Sequence, residues 1–324
     1  QELYKETIDK FSGLFHFKAA LIVHDLHPDY PTTRFAKESG LPSLAVQHHH
    51  SHIASCLAEN NFDGQVIGFC FDGTGLGDDG KIWGGEVFIC DTEKYERKGH
   101  LNYLPLPGGD RAVREPWRMG VSALYSCFGK SFMDYPLPFL QNRDPHKVEF
   151  LTSMIDNKIN TPLTSSMGRL FDAASAILNL CDFASFDAEG PMRLEASIDR
   201  DIKDFYQLPV SRVIDTSPII KGMVKDILED VSVGIISAKF HNTIINMAGS
   251  IAEDLRKETG ITTVALSGGV FVNLFLLEGC ERLLSSRGFT VLSHSKVPSG
   301  DGGLALGQLV IAATRREKGR IKCA

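Results

Sequence analysis

Four of the five residues from His48 to His52 are histidines, in the order His-His-His-Ser-His. An imidazole nitrogen is a metal ligand, and residues four apart on a helix project from one face. His48 and His52 have that spacing, so together they can grip one ion if a third ligand, most simply a carboxylate, comes from elsewhere. The competing reading is a polar helix start carrying surface histidines. A metalloprotease centre is excluded, because His49 stands where H-E-x-x-H needs its glutamate base.

Glycine turns supply the second kind of chemistry. In Phe71-Asp72-Gly73-Thr74-Gly75-Leu76-Gly77-Asp78-Asp79-Gly80-Lys81, amides of Gly73, Thr74, Gly75 and Gly77 can close on phosphate oxygens. Asp72 is placed to hold a cation or to orient a nucleophile. The stretch from Gly75 to Ile82 approximates a P-loop, but Ile82 replaces the required Ser or Thr, and a strand follows where a helix is needed. A hairpin whose tip touches phosphates fits better, against the alternative of a plain Gly/Asp hairpin. In Leu266-Ser267-Gly268-Gly269-Val270-Phe271-Val272-Asn273 a strand runs into a helix start, which makes either an anion or nucleotide site or only a tight turn. In Ser299-Gly300-Asp301-Gly302-Gly303, Asp301 either caps the last helix or serves as the third ligand beside His48 and His52.

Three further groups stay open on the residues alone. Asp172 and Glu195, the latter in EGPMRLE after Gly190, can accept from ribose hydroxyls or be two solvated acids. Arg111, Arg114 and Arg118 can clamp a phosphate or carbonyl oxygen, or sit on the surface. His24-Asp25-Leu26-His27-Pro28-Asp29 has the composition of another metal cluster, or of a turn at a strand's end.

The elements that must position these residues follow from periodicity. Strands are expected over 17–24, 43–47, 66–73, 81–90 and 97–104, with a helix opening at the histidine run. Residues 105–165 are expected to be mostly helical, with breaks at prolines. Helices are expected over 167–182, 218–230, 233–258 and 271–287, a strand at FTVLSH, and a glycine loop opening the last helix. A strand followed by a glycine turn recurs in both halves. This predicts an α/β protein of two similar domains, 1–165 with the histidines and first phosphate loop and 166–324 with the nucleotide turns, facing a shared cleft.

Bulk properties narrow the class. The 324 residues suffice for one large or two ordinary domains, and 43% hydrophobic against 23% charged residues is a globular balance. A net charge of -6 argues against a dedicated nucleic-acid binder. No apolar run reaches the roughly 18 residues of a membrane span. The seven cysteines include no C-x-x-C pair and several lie in apolar runs, which points to a reducing cytoplasm without a structural zinc knuckle. Opening on Gln1 without a signal peptide leads us to expect a piece of a longer protein.

Taken in order, VQHHHSHIAS, FDGTGLGDDG, MGRLFDAAS, EGPMRLEA, LSGGVFVN and PSGDGGLALGQ span essentially the whole chain. With these motifs the chain resembles the C-terminal, carbamoyltransferase part of the HypF family of hydrogenase maturation factors. A wider likeness extends to the tRNA threonylcarbamoyl-transferring (TsaD-like) family and to antibiotic O-carbamoyltransferases. The resemblance implies two RNase-H-like domains of the actin- and sugar-kinase-like superfold around a nucleotide cleft. It implies one ion, iron or zinc, held by His48, His52 and Asp301. It implies ATP or carbamoyl adenylate, with magnesium, held by Asp72, Gly73, Thr74, Gly75, Gly77, Asp172, Gly190, Glu195, Gly268, Gly269 and Asn273. His48, His52, Asp72 and Asp301 are the implied catalytic set. The implied acceptor is the C-terminal cysteine of the partner HypE, on the route to the nitrile ligand of [NiFe] hydrogenase. Cys323 of this chain is read as coincidental. Complete family proteins also carry an acylphosphatase-like module, cysteine zinc fingers and a module that makes carbamoyl adenylate. The chain should therefore hold the transfer half alone. The rival expectations are threonylcarbamoyl transfer to tRNA, an acyl or sugar kinase of the same superfold, and an idle nucleotide-binding scaffold.

Overall fold

The computed structural model describes residues 2–141, 143–209 and 211–319. The chain starts with helix α1 (Glu2–Phe15), then strand β1 (Ile22–Asp25), α2 (Pro31–Glu38), β2 (Ser43–Val46) and α3 (His48–Glu59). β1 and β2 form a small parallel sheet of their own. β1 is shorter than the 17–24 run because its partner begins only at Ser43, with the Ile22 amide already bonded to Pro42 O at 2.9 Å. α1 had no counterpart among the expectations; Leu3, Phe11, Leu14 and Phe15 on it are exposed.

Three antiparallel-linked strands follow, β3 (Val66–Leu76), β4 (Ile82–Cys90) and β5 (Tyr95–Leu101), then the short β6 (Leu104–Pro105). The strand expected over 97–104 breaks at Asn102, whose Oδ1 turns aside to accept from Thr216 N and Oγ1. Helices α4 (Asp110–Arg114), α5 (Trp117–Phe128), α6 (Pro138–Gln141) and α7 (Pro145–Asp156) lead to β7 (Leu163–Thr164). Then come α8 (Met167–Ile177), α9 (Glu189–Ala196), β8 (Val213–Ile214), α10 (Ser217–Leu228) and α11 (Val233–Thr259). The chain closes with β9 (Thr263–Ser267), α12 (Leu274–Ser286), β10 (Thr290–Leu292) and α13 (Leu304–Glu317).

The architecture is mixed α/β around one sheet of eight strands, ordered β10-β9-β3-β4-β5-β8, with β7 beside β4 and β6 beside β7. β3 is its spine: residues Val66 to Asp72 are buried, with β9 parallel on one side and β4 antiparallel on the other. Strands from both sides of residue 165 hydrogen-bond in this sheet, so a division there does not separate two sheets. Every residue of α8 is buried, and the long α11 buries one face against the same core. α13 lies across α3 and reaches β1 and β2. The approach is so close that a β-carbon on Gly307 would run into the Ser51 carbonyl oxygen.

Candidate metal centre and nucleotide turns

α3 begins the moment β2 ends. Gln47 is its N-cap: the side-chain oxygen accepts from His50 N at 2.9 Å, and Ser51 Oγ donates back to Gln47 O at 3.0 Å. The first ten residues of the helix are all buried, which rules out the reading of surface histidines. The four rings diverge. His50 Nε2 bonds Asp91 O at 2.7 Å, and His49 turns to Gln47 and Trp83. His48 and His52 share a face, with ring centroids 5.0 Å apart.

Two carboxylates meet this pair. Asp72 Oδ2 is 3.3 Å from His48 Nε2 and 3.5 Å from His52 Nε2, while Asp301 Oδ1 is 3.7 and 3.6 Å from the same atoms. One ligand atom from each of the four residues falls within 4.8 Å of the others. Asp301 sits in the 3-10 turn Asp301–Gly303 just ahead of α13. Among the described residues no backbone amide donates to its side chain, so capping does not explain it. Its 75% exposure marks the open side of an otherwise buried cluster. His52 Nε2 is buried and has no hydrogen-bond partner.

The electrostatics call for positive charge at the centre. Burial alone would lower the His48 pKa, but hydrogen bonds to Asp25 and Asp72 raise it to about 10. Burial would raise Asp72; the His52 and His48 imidazoles hold it well below the usual carboxylate range. Away from the carboxylates, burial lowers His50 to about 4.

Asp72 also joins the centre to the second glycine turn, since its Oδ1 accepts from Gly269 N at 2.9 Å. It can do both because β3 bulges: Phe71 pairs Gly85 but Gly75 pairs Trp83, so residues 72–74 loop out of the ladder. Ser166, the N-cap of α8, pins the bulge by donating to Asp72 O (2.8 Å) and Gly73 O (2.7 Å). The bulge, with Thr74 exposed, is the part of the hairpin that meets the cluster. The tip is occupied with itself: Gly77 N donates to Lys81 O at 2.8 Å, and Asp79 accepts from Lys81 N and Trp83 Nε1. Gly75 is required at its place, because a β-carbon would strike the His48 and His49 rings.

The second turn is equally constrained. Gly268 has φ +105, and a β-carbon there would collide with Phe71 O. Gly268 N donates to Ser299 O at 3.0 Å and Gly269 N to Asp72, so these two amides are already used and shape the turn. Asn273 Oδ1 caps α12 through Leu276 N at 2.9 Å, and its Nδ2 donates to His241 Nε2 at 3.0 Å. Glu195 Oε1 accepts from Phe275 N at 3.1 Å, which brings α9 to the same turn. Gly190 lies over Asp172 and Ser175. Asp172 is buried, and burial raises its pKa to about 6 against the pull of Arg169. Arg169 Nε is 3.0 Å away but misaligned, and Asp172 Oδ2 has no hydrogen bond.

The remaining groups resolve differently. Arg111 and Arg118 each place Nε 2.6 Å from Glu115, so their charge is met within the chain. The cluster at His24–Asp29 is a strand-end turn, but Asp25 bonds His48 Nδ1 at 2.8 Å. Sequence reasoning also missed Glu59 at the far end of α3. Its carboxylate accepts from Ser295 N and Oγ, Lys296 N, Val297 N and His294 Nδ1, fixing the loop that delivers Asp301. Glu59 has no local signal, and the cluster around Asp25 does not point to His48, because the partners are far away in sequence.

A family model described as carbamoyltransferase, Kae1-like domain, second subdomain, matches residues 68–308, and one described as HypF Kae1-like domain matches 1–59. The chain belongs to the HypF family. Carbamoyltransferase HypF2 of Cupriavidus necator is 34% identical over 345 residues, covering 96% of this chain and 42% of that protein. A shorter HypF homolog from the same organism is 33% identical, covering 95% of this chain and 81% of its own length. A crystal structure of full-length HypF in phosphate- and nucleotide-bound form superposes with TM-score 0.92 at 40% identity, over 97% of this chain and 50% of that one. The fold is thus the Kae1-like, actin- and sugar-kinase-like α/β type. This HypF-family chain spans about two fifths of the curated HypF2 length. The two family models meet between residues 59 and 68, directly after the histidine helix.

Proposed function

We propose that this chain performs the transfer half of HypF chemistry: it binds carbamoyl adenylate and passes the carbamoyl group to the C-terminal cysteine of HypE, toward the nitrile ligand of [NiFe] hydrogenase. The observation that carries the reading is the Asp72 junction, where a buried His/Asp cluster and a glycine turn share one carboxylate. The related full-length HypF, solved with phosphate and nucleotide bound, supports the nucleotide. Six described cysteines, all free, suit a cytoplasmic setting.

The residues fit an ion. Two imidazoles and two carboxylates converge, and His52 Nε2 is a buried acceptor or donor with no other partner. His48, His52 and Asp301 would hold it, with Asp72 alongside; this donor set suits iron or zinc. When bound, such an ion supplies Lewis-acid polarisation of a carbonyl or anchorage for a phosphate oxygen.

Carbamoyl adenylate is a mixed anhydride. The acceptor thiolate forms the S–C bond as the C–O bond to AMP breaks, and AMP departs as a stable anion. The protein therefore has to position the reactants and exclude water. Thr74 and the bulge backbone offer donors to phosphate oxygens, with magnesium accompanying the nucleotide. Glu195, which meets the second turn, and Asp172, which lies under Gly190, would accept from the ribose hydroxyls.

The test is His52→Ala in this chain supplied with carbamoyl adenylate and HypE. The expected outcome is an unchanged circular dichroism spectrum, loss of bound metal and loss of thiocarbamate on HypE. Full transfer with metal still bound would overturn the assignment.

A further inference from the structure

Asp25 belongs to none of the ligand or nucleotide sets, yet it makes the shortest contact of any side chain with His48. Its Oδ2 lies 2.8 Å from His48 Nδ1, and both side chains are buried. The opposite ring atom, Nε2, faces Asp72 and Asp301. Asp25 is itself held. Its Oδ1 accepts from His27 N at 2.8 Å, its carbonyl accepts from Thr33 Oγ1 at 3.3 Å, and it pairs with Val46 in the parallel ladder of β1 and β2. Val46 is followed by Gln47, the cap of α3, so the ladder sets Asp25 directly against the helix that carries His48.

We propose that Asp25 is a positioning residue for His48: it keeps the imidazole proton on Nδ1, so that the Nε2 lone pair is presented to an ion at the His48–His52–Asp72–Asp301 cluster. An ionised carboxylate can only accept, so it favours the tautomer with Nδ1–H. The other tautomer would aim an N–H at the cluster and leave Asp25 facing a lone pair. Carboxylate partners of this kind orient ligating histidines and raise their basicity. The proposal rests on the metal reading above.

The experiment uses zinc alone, with a competing chelator, on the wild-type chain and Asp25→Asn, together with nitrogen NMR of the histidine rings. The asparagine is nearly isosteric but can donate to Nδ1, which permits the Nε2–H tautomer. The expected result is a zinc-loaded wild type with His48 protonated at Nδ1, and an affinity loss of about 10–100-fold in Asp25→Asn. A merely structural role would not set the ring's tautomer, and the wild-type spectrum reads it without any variant. His48 carrying its proton on Nε2, or Asp25→Asn binding zinc within about twofold of wild type, overturns the proposal. A wild type that takes up no zinc removes the metal reading and this role with it, a result distinct from zinc binding that Asp25→Asn leaves untouched.

Discussion

Each oxygen of Asp72 has its own partner, one the Gly269 amide and the other the two imidazoles. The neighbouring Gly268 leaves no room for a side chain, with φ +105 and Phe71 O against the missing β-carbon. Gly268→Ala is therefore expected to destabilise the chain by about 1–3 kcal/mol from backbone strain, more if the clash is not relieved. Urea unfolding checks it; an unchanged midpoint would show that the turn can relax. At this scale the sequence was most informative where chemistry and spacing coincide. His48 and His52 stood out because four-residue spacing is a local property. Asp301 was a candidate because it sits in a glycine turn before a helix. Asp25 was noted only within a possible metal cluster and Glu59 not at all, because their roles depend on contacts that only the tertiary fold creates. The glycine hairpin was recognised, but the part of it that meets the cluster is the bulge at residues 72–74, and bulges leave no clear mark on composition.

α3 carries the centre at both ends. Its first two turns supply His48 and His52, and its last residue, Glu59, anchors the loop leading to Asp301. Burial would raise the Glu59 pKa, but the amides of Lys296 and Ser295, with His294, hold it at about 2. The sign is that of a depressed carboxylate: the stabilisation is complete above the unfolded value of about 4.5 and disappears as the pH falls toward 2. Acid titration followed by hydrogen exchange is expected to show residues 294–301 losing protection across that window. Glu59→Gln should flatten the transition and loosen the loop at neutral pH. Protection that is independent of pH in the wild type would refute the anchoring role. Most helices were legible from their apolar periodicity: α11 matches its expected bounds to a residue, while α8 starts where expected but ends at Ile177 rather than at residue 182. The closeness of α13 to α3 was not, because Gly307 looks like any other helical glycine until its neighbour is known.

For the molecule as a whole, the mixed α/β class was readable from the strand–turn–helix steps, while the sheet shared across residue 165 was not, since strand partners are chosen over long distances. That sharing has an energetic corollary. Asp72 touches both the cluster and the Gly268–Asn273 turn proposed for the nucleotide, so zinc and adenine nucleotide should bind with mutual enhancement. Calorimetry in both orders is expected to give the same factor, about 5–150-fold. Asp72→Asn should bring it close to unity, and independent binding in the wild type would contradict the linkage.

The contact between His48 and Asp301 joins the fifth element described to the turn that precedes α13. During synthesis the histidine helix leaves the ribosome long before the aspartate that faces it exists. A nascent chain therefore lacks the complete His/Asp cluster, and any ion held there would load only once translation of this region is all but complete.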